Sequence, residues 1–161
     1  MKKFMAFTFL VLLLGIARGE VTSYSEVEET IKLLHQAIKT GQEEMVPIYE
    51  AALELVKKAT VPMRAEGIIR RLRQENRLSS TEFKKLRERF LLVDLLLAHA
   101  VSRQTGEKFF QVIAWREKNT WPEIFREKSI NPECSKYILE LSPVEIPGSH
   151  TPQKSIPQGN R

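Results

Sequence analysis

The residues in this chain that could support chemistry are one isolated carboxylate, three histidines and one cysteine. Asp94 interrupts the apolar run between Phe90 and Val101. Because burying an unpaired carboxylate is costly, we expect Asp94 to pair with an arginine of another helix, with Arg116 as the candidate. The alternative is an acid of raised pKa in a cleft. No nucleophile or second carboxylate stands at a spacing that completes a catalytic pair, so pairing is the favoured interpretation.

The histidines and the cysteine do not predict a reactive site. His35, His99 and His150 are far apart in the sequence, and none stands one helical turn from a second metal ligand. Cys134 is the single cysteine, so an internal disulfide is excluded, and burial is favoured over a link between two copies. We therefore predict no catalytic residue, no metal ligand and no cofactor. An enzyme, such as a cell-wall hydrolase, is the least supported class.

The first twenty residues have the order of a secretory signal peptide. Two lysines precede an apolar stretch over residues 4–16, and small residues follow at signal-peptidase spacing. This stretch is shorter than the roughly 20 residues that a spanning helix needs. We therefore predict a periplasmic or secreted bacterial protein whose signal, residues 1–19, is cleaved after Ala17 or Gly19. An uncleaved anchor or an ordinary buried N-terminal helix is the alternative.

Cleavage would change the charge balance of the chain. The whole sequence has 25 Lys and Arg against 20 Asp and Glu, a net charge of +5, but three of the cations lie in the signal, which leaves +2. The remaining charge is uneven, since residues 20–54 carry −6 and residues 57–89 carry +7. Either these two parts face each other in the fold, or the basic part is a surface for anionic lipid, cell-wall polymer or an acidic partner.

Helical periodicity dominates the chain after residue 20, and prolines lie between the periodic segments. The spacing predicts helices over residues 25–40, 42–59, 63–76, 80–104 and 107–118, from residue 121, and over residues 132–141. The fourth helix is apolar on all sides from Phe90 to Val101, which places it at the centre of the domain. A Ser or Thr followed three residues later by Glu predicts capping boxes at Ser25, Ser79 and Thr120.

These elements predict the all-α fold class. We expect a compact bundle of six to seven helices around the central helix at about residues 80–104, and a helical domain over residues 20–141. Residues 142–161 are rich in Pro, Gly, Ser and Gln with little apolar clustering. Such a composition predicts a disordered tail.

Residues 120–138 resemble the helix-turn-helix unit of DNA-binding proteins. Ile124-Phe125, Ser129-Ile130-Asn131 and Ile138 fall at the spacings of that unit. Phe125, Ser129 and Ser135 depart from its small, glycine and apolar positions. The second helix also offers few of the side chains that read a DNA groove. The resemblance implies a DNA-binding regulator, whereas a helix–turn–helix used for packing is the favoured alternative.

Two further segments resemble known groups. Gly106, Val112-Ile113, Arg116 and Trp121-Pro122-Glu123-Ile124, within residues 95–132, resemble a block of uncharacterised exported bacterial all-helical proteins. That resemblance implies export and a helical fold but no activity. Leu-Ser-Ser-Thr-Glu at residues 78–82 weakly resembles the Leu-Thr-x-x-Gln element of small periplasmic helical chaperones, and a plain capping box is the alternative.

The favoured function is a non-enzymatic module that binds another macromolecule, or has a structural role, in the bacterial envelope. The alternatives are a helix-turn-helix DNA-binding regulator and a small periplasmic chaperone. The expected partner is an anionic envelope component or a protein, with nucleic acid disfavoured and no stable membrane span left after signal cleavage. The predicted partner-binding surface consists of basic side chains on the third and fourth helices. These are Arg70, Arg71, Arg73, Lys84, Lys85, Arg87 and Arg89.

Overall fold

In a computed structural model, residues 22–144 are described, and this part of the chain forms eight α-helices and two short 3-10 turns without a β-strand. The helices are α1 (Tyr24–Lys39), α2 (Val46–Lys58), α3 (Pro62–Glu75), α4 (Ser80–Arg89), α5 (Leu92–Thr105), α6 (Phe109–Lys118), α7 (Trp121–Glu127) and α8 (Ser135–Leu139). The 3-10 turns Glu43–Met45 and Pro132–Cys134 precede α2 and α8. The all-α prediction is confirmed. The predicted signal peptide lies outside the described residues.

The core of the domain is built around α5. All residues from Leu92 to Val101 are buried, including the polar Asp94 and His99. Helices α2, α6 and α8 pack against α5, and α1 packs along α2. The burial of this segment on all sides agrees with its apolar run. None of the described helices is long and apolar enough to cross a membrane.

The prediction of one continuous helix over residues 80–104 is wrong. The backbone is extended at Phe90 and Leu91, with ψ angles of 145° and 160°, and this break separates α4 from α5. Helix α4 buries Phe83 and Leu86 and leaves most of its charged side chains in solvent. A single straight helix would extend the charged residues of α4 in the same direction as the buried helix α5. The break lets α4 turn, so that its charged side chains stay in solvent. Within residues 22–144 it also raises the helix count to eight, above the predicted six to seven.

The three predicted capping boxes have different outcomes. At Ser79 the box forms, since its hydroxyl accepts from the Glu82 N–H at 3.1 Å and the Glu82 carboxylate accepts from the Ser79 N–H at 2.8 Å. At Thr120 the bond from the Glu123 side chain is present, since the Glu123 carboxylate accepts from the Thr120 N–H at 2.8 Å. The box predicted at Ser25 is wrong, because α1 begins after Ser23 and the two serine hydroxyls bond to each other at 2.8 Å.

The end of the described chain returns to α2 and α3. The Ser142 carbonyl accepts a hydrogen bond from Arg71 at 2.8 Å, and its hydroxyl accepts one from Lys58 at 3.0 Å. Pro143 lies 3.3 Å from the position that a Cβ atom would take at Gly67. Packing contacts thus continue past residue 141, where the sequence placed the end of the domain. Residues 145–161 of the predicted tail lie outside the described part.

Candidate functional site

The predicted basic surface is divided by the fold. Arg70, Lys84, Lys85 and Arg89 are exposed, whereas Arg71, Arg73 and Arg87 are partly buried. Arg71 bonds to the Ser142 carbonyl at 2.8 Å, and Arg73 Nε donates to the Leu78 carbonyl at 3.3 Å. Arg89 forms a surface ion pair with Glu117. Three of the seven predicted side chains are therefore used inside the domain and one is paired on its surface.

Arg87 does not belong to the predicted surface. Its side chain is 7% exposed, and its two terminal nitrogens donate to the two Glu26 carboxylate oxygens at 2.6 and 2.9 Å. Arg87 also donates to the Phe90 carbonyl at 3.3 Å. The guanidinium thus lies between α1 and the break that separates α4 from α5. Its burial there is tolerated because its charge is neutralised by the Glu26 carboxylate.

Glu26 is a site residue that the sequence analysis missed. Besides Arg87, its carboxylate accepts a hydrogen bond from the Leu92 N–H, at 2.9 Å, in the first turn of α5. Burial by itself would raise the pKa of Glu26, but the hydrogen bonds and charge of Arg87, together with the Leu92 N–H, hold that pKa below its ordinary value. Glu26 therefore serves as an ionised acceptor for a helix N-terminus.

Exposed cations remain on α3, on the turn after it and on α4. Arg70, Arg77, Lys84 and Lys85 are exposed and form no ion pair with any residue in the described range. Arg77 lies in the turn, in a left-handed backbone conformation with φ of 53°. We call these four residues the α3–α4 basic surface. Helices α3 and α4 make few or no backbone contacts with each other.

Asp94 lies at the junction of three helices. Its Oδ1 accepts from Arg116 Nε at 3.0 Å and from Trp121 Nε1 at 2.8 Å, and its Oδ2 accepts from the Leu91 N–H at 3.3 Å. The predicted pairing with Arg116 is confirmed. These bonds tie the first turn of α5 to α6 and α7, because each donor comes from a different element. The Trp121 contact was not predicted from the sequence.

A pocket of about 160 Å³ opens beside this junction, between α1, the turn before α2, and the α6–α7 connection. Apolar groups line part of its wall, and polar side chains line the rest. The apolar groups are Leu33, Trp121 and Pro122, and the polar ones are Gln36, Gln42, Tyr49, Thr120 and Arg116. Burial raises the pKa of Tyr49 to about 12, although the nearby Arg116 charge opposes this, so the phenol is neutral at physiological pH. Tyr49 was not predicted as a site residue.

The fold buries one histidine, His99, and the single cysteine, Cys134. His99 Nδ1 lies 2.9 Å from the Asn76 side-chain nitrogen, and burial lowers the pKa of this histidine to about 4. Cys134 is buried as predicted, and burial raises the pKa of its thiol to about 12. In the range 22–144, no group of three or more His, Cys, Asp or Glu side chains could hold a metal ion.

The second half of the segment that resembles a helix-turn-helix unit packs against the core of the domain. Ser129 adopts a positive φ of 50° at the turn, where the unit has glycine. The second element then consists of a 3-10 turn and the five-residue α8, which packs against α2 and α5 and buries Cys134 and Ile138. Glu133, Lys136 and Glu140 are exposed there and carry a net negative charge.

Comparisons of the chain with family models, with curated proteins and with solved structures gave no match.

Proposed function

We propose that this chain is an exported protein whose helical domain binds an anionic component of the bacterial envelope through the α3–α4 basic surface. The observation that carries the proposal is the set of exposed cations without ion-pair partners in the described range. Such cations keep their charge available to an anionic partner and attract it over a distance of about one Debye length.

The charge of the first part of the chain supports this proposal. The acidic residues of positions 20–54 could have neutralised the basic part if the two faced each other. Among the described residues, Glu26–Arg87 is the one ion pair that joins them over a long sequence separation, and it is buried. Glu29 pairs with Lys32 in its own helix and Glu54 pairs with Lys58 one turn away, whereas Glu28 is exposed and forms no ion pair with a described residue. These pairs leave the four cations of the α3–α4 basic surface without an ion-pair partner in the described range.

The binding proposal is tested with the chain lacking residues 1–19, on vesicles of phosphatidylglycerol with phosphatidylethanolamine and on heparin as a soluble anionic polymer. We expect binding to at least one of these probes, weakening with salt. Charge reversal of Arg70, Lys84 and Lys85 to Glu should weaken binding by about a hundredfold or more, since each cation near an anionic surface contributes about 1 kcal/mol.

The matched control reverses three exposed lysines elsewhere, Lys39, Lys57 and Lys108, which also form no ion pair with a described residue. Because the net charge changes equally, a specific surface predicts a much smaller loss for the control. Equal losses in the two triple variants, or no binding to either anionic probe, would contradict the proposal.

Export is tested separately by fractionating the producing cells and measuring the intact mass in each fraction. We expect a periplasmic or extracellular species that lacks residues 1–17 or 1–19. A full-length species in the cytosol would contradict export and would make duplex DNA binding through residues 120–141 the next hypothesis to measure.

A further inference from the structure

We propose that the pocket beside Asp94 binds a small neutral amide, with the carbonyl oxygen of the ligand accepting hydrogen bonds from Tyr49 and Arg116. This site is separate from the α3–α4 basic surface and does not depend on the function proposed for that surface. The pocket joins α1 and α2 to the α6–α7 connection, so a ligand there would contact both sides of the domain.

The first observation is the state of the Tyr49 hydroxyl. Tyr49 is 2% exposed, lines the pocket, and donates no hydrogen bond to any described residue. The hydroxyl is not sealed from solvent either, because Arg87 Nε is the one fully enclosed side-chain polar atom that lacks a partner in the described range. A buried phenol hydroxyl normally has a partner. Tyr49 therefore presents a free donor to the pocket.

The second observation is the way Arg116 is held. Its Nε bonds to Asp94 at 3.0 Å and one terminal nitrogen bonds to the Asn119 carbonyl at 3.2 Å. The other terminal nitrogen has no hydrogen-bond partner among the described residues, and the Arg116 side chain is 32% exposed. The guanidinium is therefore fixed in orientation while one donor edge stays available. Preorganised donors of this kind bind an acceptor with little ordering cost.

The other residues that line the pocket indicate which further groups the ligand carries. The side chains of Gln36 and Gln42 make no hydrogen bond to described residues, and each amide can accept from a ligand N–H. Leu33, Trp121 and Pro122 supply apolar surface. A volume of about 160 Å³ is similar to the engineered cavity of about 150 Å³ that holds benzene, so a ligand of roughly six to eight heavy atoms fits.

Charge favours a neutral ligand over an anion. The Arg116 charge is already balanced by Asp94, at 3.0 Å. Two of the walls belong to residues 20–54, which carry a net charge of −6. A carboxylate would therefore lose hydration without meeting an uncompensated cation. A secondary amide offers the same acceptor oxygen without that cost, and its N–H matches the glutamine oxygens.

The experiment titrates N-propylacetamide into the ¹⁵N-labelled chain lacking residues 1–19 and follows the two tryptophan indole N–H resonances. Trp121 lines the pocket and donates to Asp94, whereas the Trp115 ring is covered by Lys128 with the ammonium 4.5 Å from its centroid. We expect saturable movement of the Trp121 resonance, with Trp115 as the internal control. Pentanoate, which has the same number of heavy atoms, should bind at least about tenfold more weakly.

Tyr49→Phe should weaken amide binding by about fivefold to tenfold and leave the unfolding temperature unchanged, because the hydroxyl bonds to no described residue. Gln42→Leu, at the half-buried edge of the pocket, should also weaken it. Tyr137→Phe, outside the pocket, is the matched control and should bind like the unaltered chain. No Trp121 movement, tighter binding of pentanoate, or unchanged affinity in Tyr49→Phe would each overturn the proposal.

Discussion

Glu26 and Asp94 both place a carboxylate against the N-terminal end of α5, but their arginine partners have different surroundings. In the Glu26–Arg87 pair the two side chains are 9% and 7% exposed. In the Asp94–Arg116 pair the carboxylate is 10% exposed, whereas the arginine keeps 32% of its exposure and borders the pocket. We call the first the closed pair and the second the open pair.

The different exposure of the two arginines separates a pair that only stabilises the fold from a pair that can also contact a ligand. The break at Phe90 and Leu91 leaves N–H groups at the start of α5 that need acceptors, and both carboxylates supply them. The closed pair uses both Glu26 oxygens for this and for Arg87, and its side chains are almost fully buried, so its one unused donor, Arg87 Nε, is out of reach of a ligand. In the open pair, Asp94 accepts from an N–H at the same end of α5, while one edge of the Arg116 guanidinium still borders the pocket. Burial alone therefore does not identify a functional ion pair.

The largest effect is expected from opening the closed pair. Glu26→Gln leaves Arg87 buried without its counter-charge, and removing one partner of a buried pair typically costs about 3–5 kcal/mol. Urea unfolding of the variant should show a loss of this size in the free energy of unfolding. Glu26→Gln combined with Arg87→Met should recover much of it, because the second change removes the unpaired charge. A single variant as stable as the unaltered chain would contradict the assignment of Glu26–Arg87 as the closed pair.

Acid should lower the free energy of unfolding of the domain in two stages, the first from protonation of His99 and the second from protonation of Glu26. His99 has a folded pKa of about 4 against 6.5 in the unfolded chain, so below pH 6.5 the unfolded state binds a proton that the folded state does not. The free energy of unfolding should therefore fall by about 3 kcal/mol between pH 6.5 and pH 4. His99→Gln should remove this slope, whereas His35→Gln, at an exposed position, should keep it. An unchanged slope in His99→Gln would contradict the assignment.

The second stage of acid loss tests the closed pair. Because the pKa of Glu26 is lowered by folding, its stabilisation is present above the ordinary pKa of 4.5 and is lost as the pH falls through the folded value. In Glu26→Gln this lower stage should shrink while the His99 slope persists. A variant that keeps both stages would show that another carboxylate is responsible.

The open pair should tolerate the corresponding change better. Asp94→Asn removes the counter-charge of Arg116, but that guanidinium can be hydrated from the pocket, and the new amide oxygen still accepts from Trp121. We expect a loss of about 1–3 kcal/mol, smaller than for Glu26→Gln. Equal losses in the two variants, measured by urea unfolding under the same conditions, would remove the distinction between closed and open pairs.

The smallest effect is expected at the surface pair of Arg89 and Glu117, whose side chains are 61% and 39% exposed. Arg89→Ala should change the free energy of unfolding by no more than about 1 kcal/mol, because solvent and salt screen such pairs. The three pairs then form a series in which the cost of breaking a pair falls as its exposure rises. A loss at Arg89 as large as at Glu26 would break the series.

Several features could be predicted because their signals are local. The capping box at Ser79 depends on residues three positions apart, and the burial of Leu92 to Val101 follows from an apolar run. The Asp94–Arg116 pair was predictable because a lone carboxylate in that run needs a cation. The basic surface was predicted in part, since the composition of α3 and α4 shows where cations are frequent but not which of them the fold uses internally.

The sequence by itself therefore determined the all-α class, most helix positions and the need for a partner at Asp94, since these follow from spacing and from the cost of burying charge. The tertiary structure alone decided the break between α4 and α5, because helical periodicity continues on both sides of Phe90. It also decided the Glu26–Arg87 pair, whose members stand 61 residues apart, and the pocket, whose walls come from four separate segments. Contacts between such distant segments depend on how the helices pack, and the packing leaves no periodic or local signal in the order of the residues.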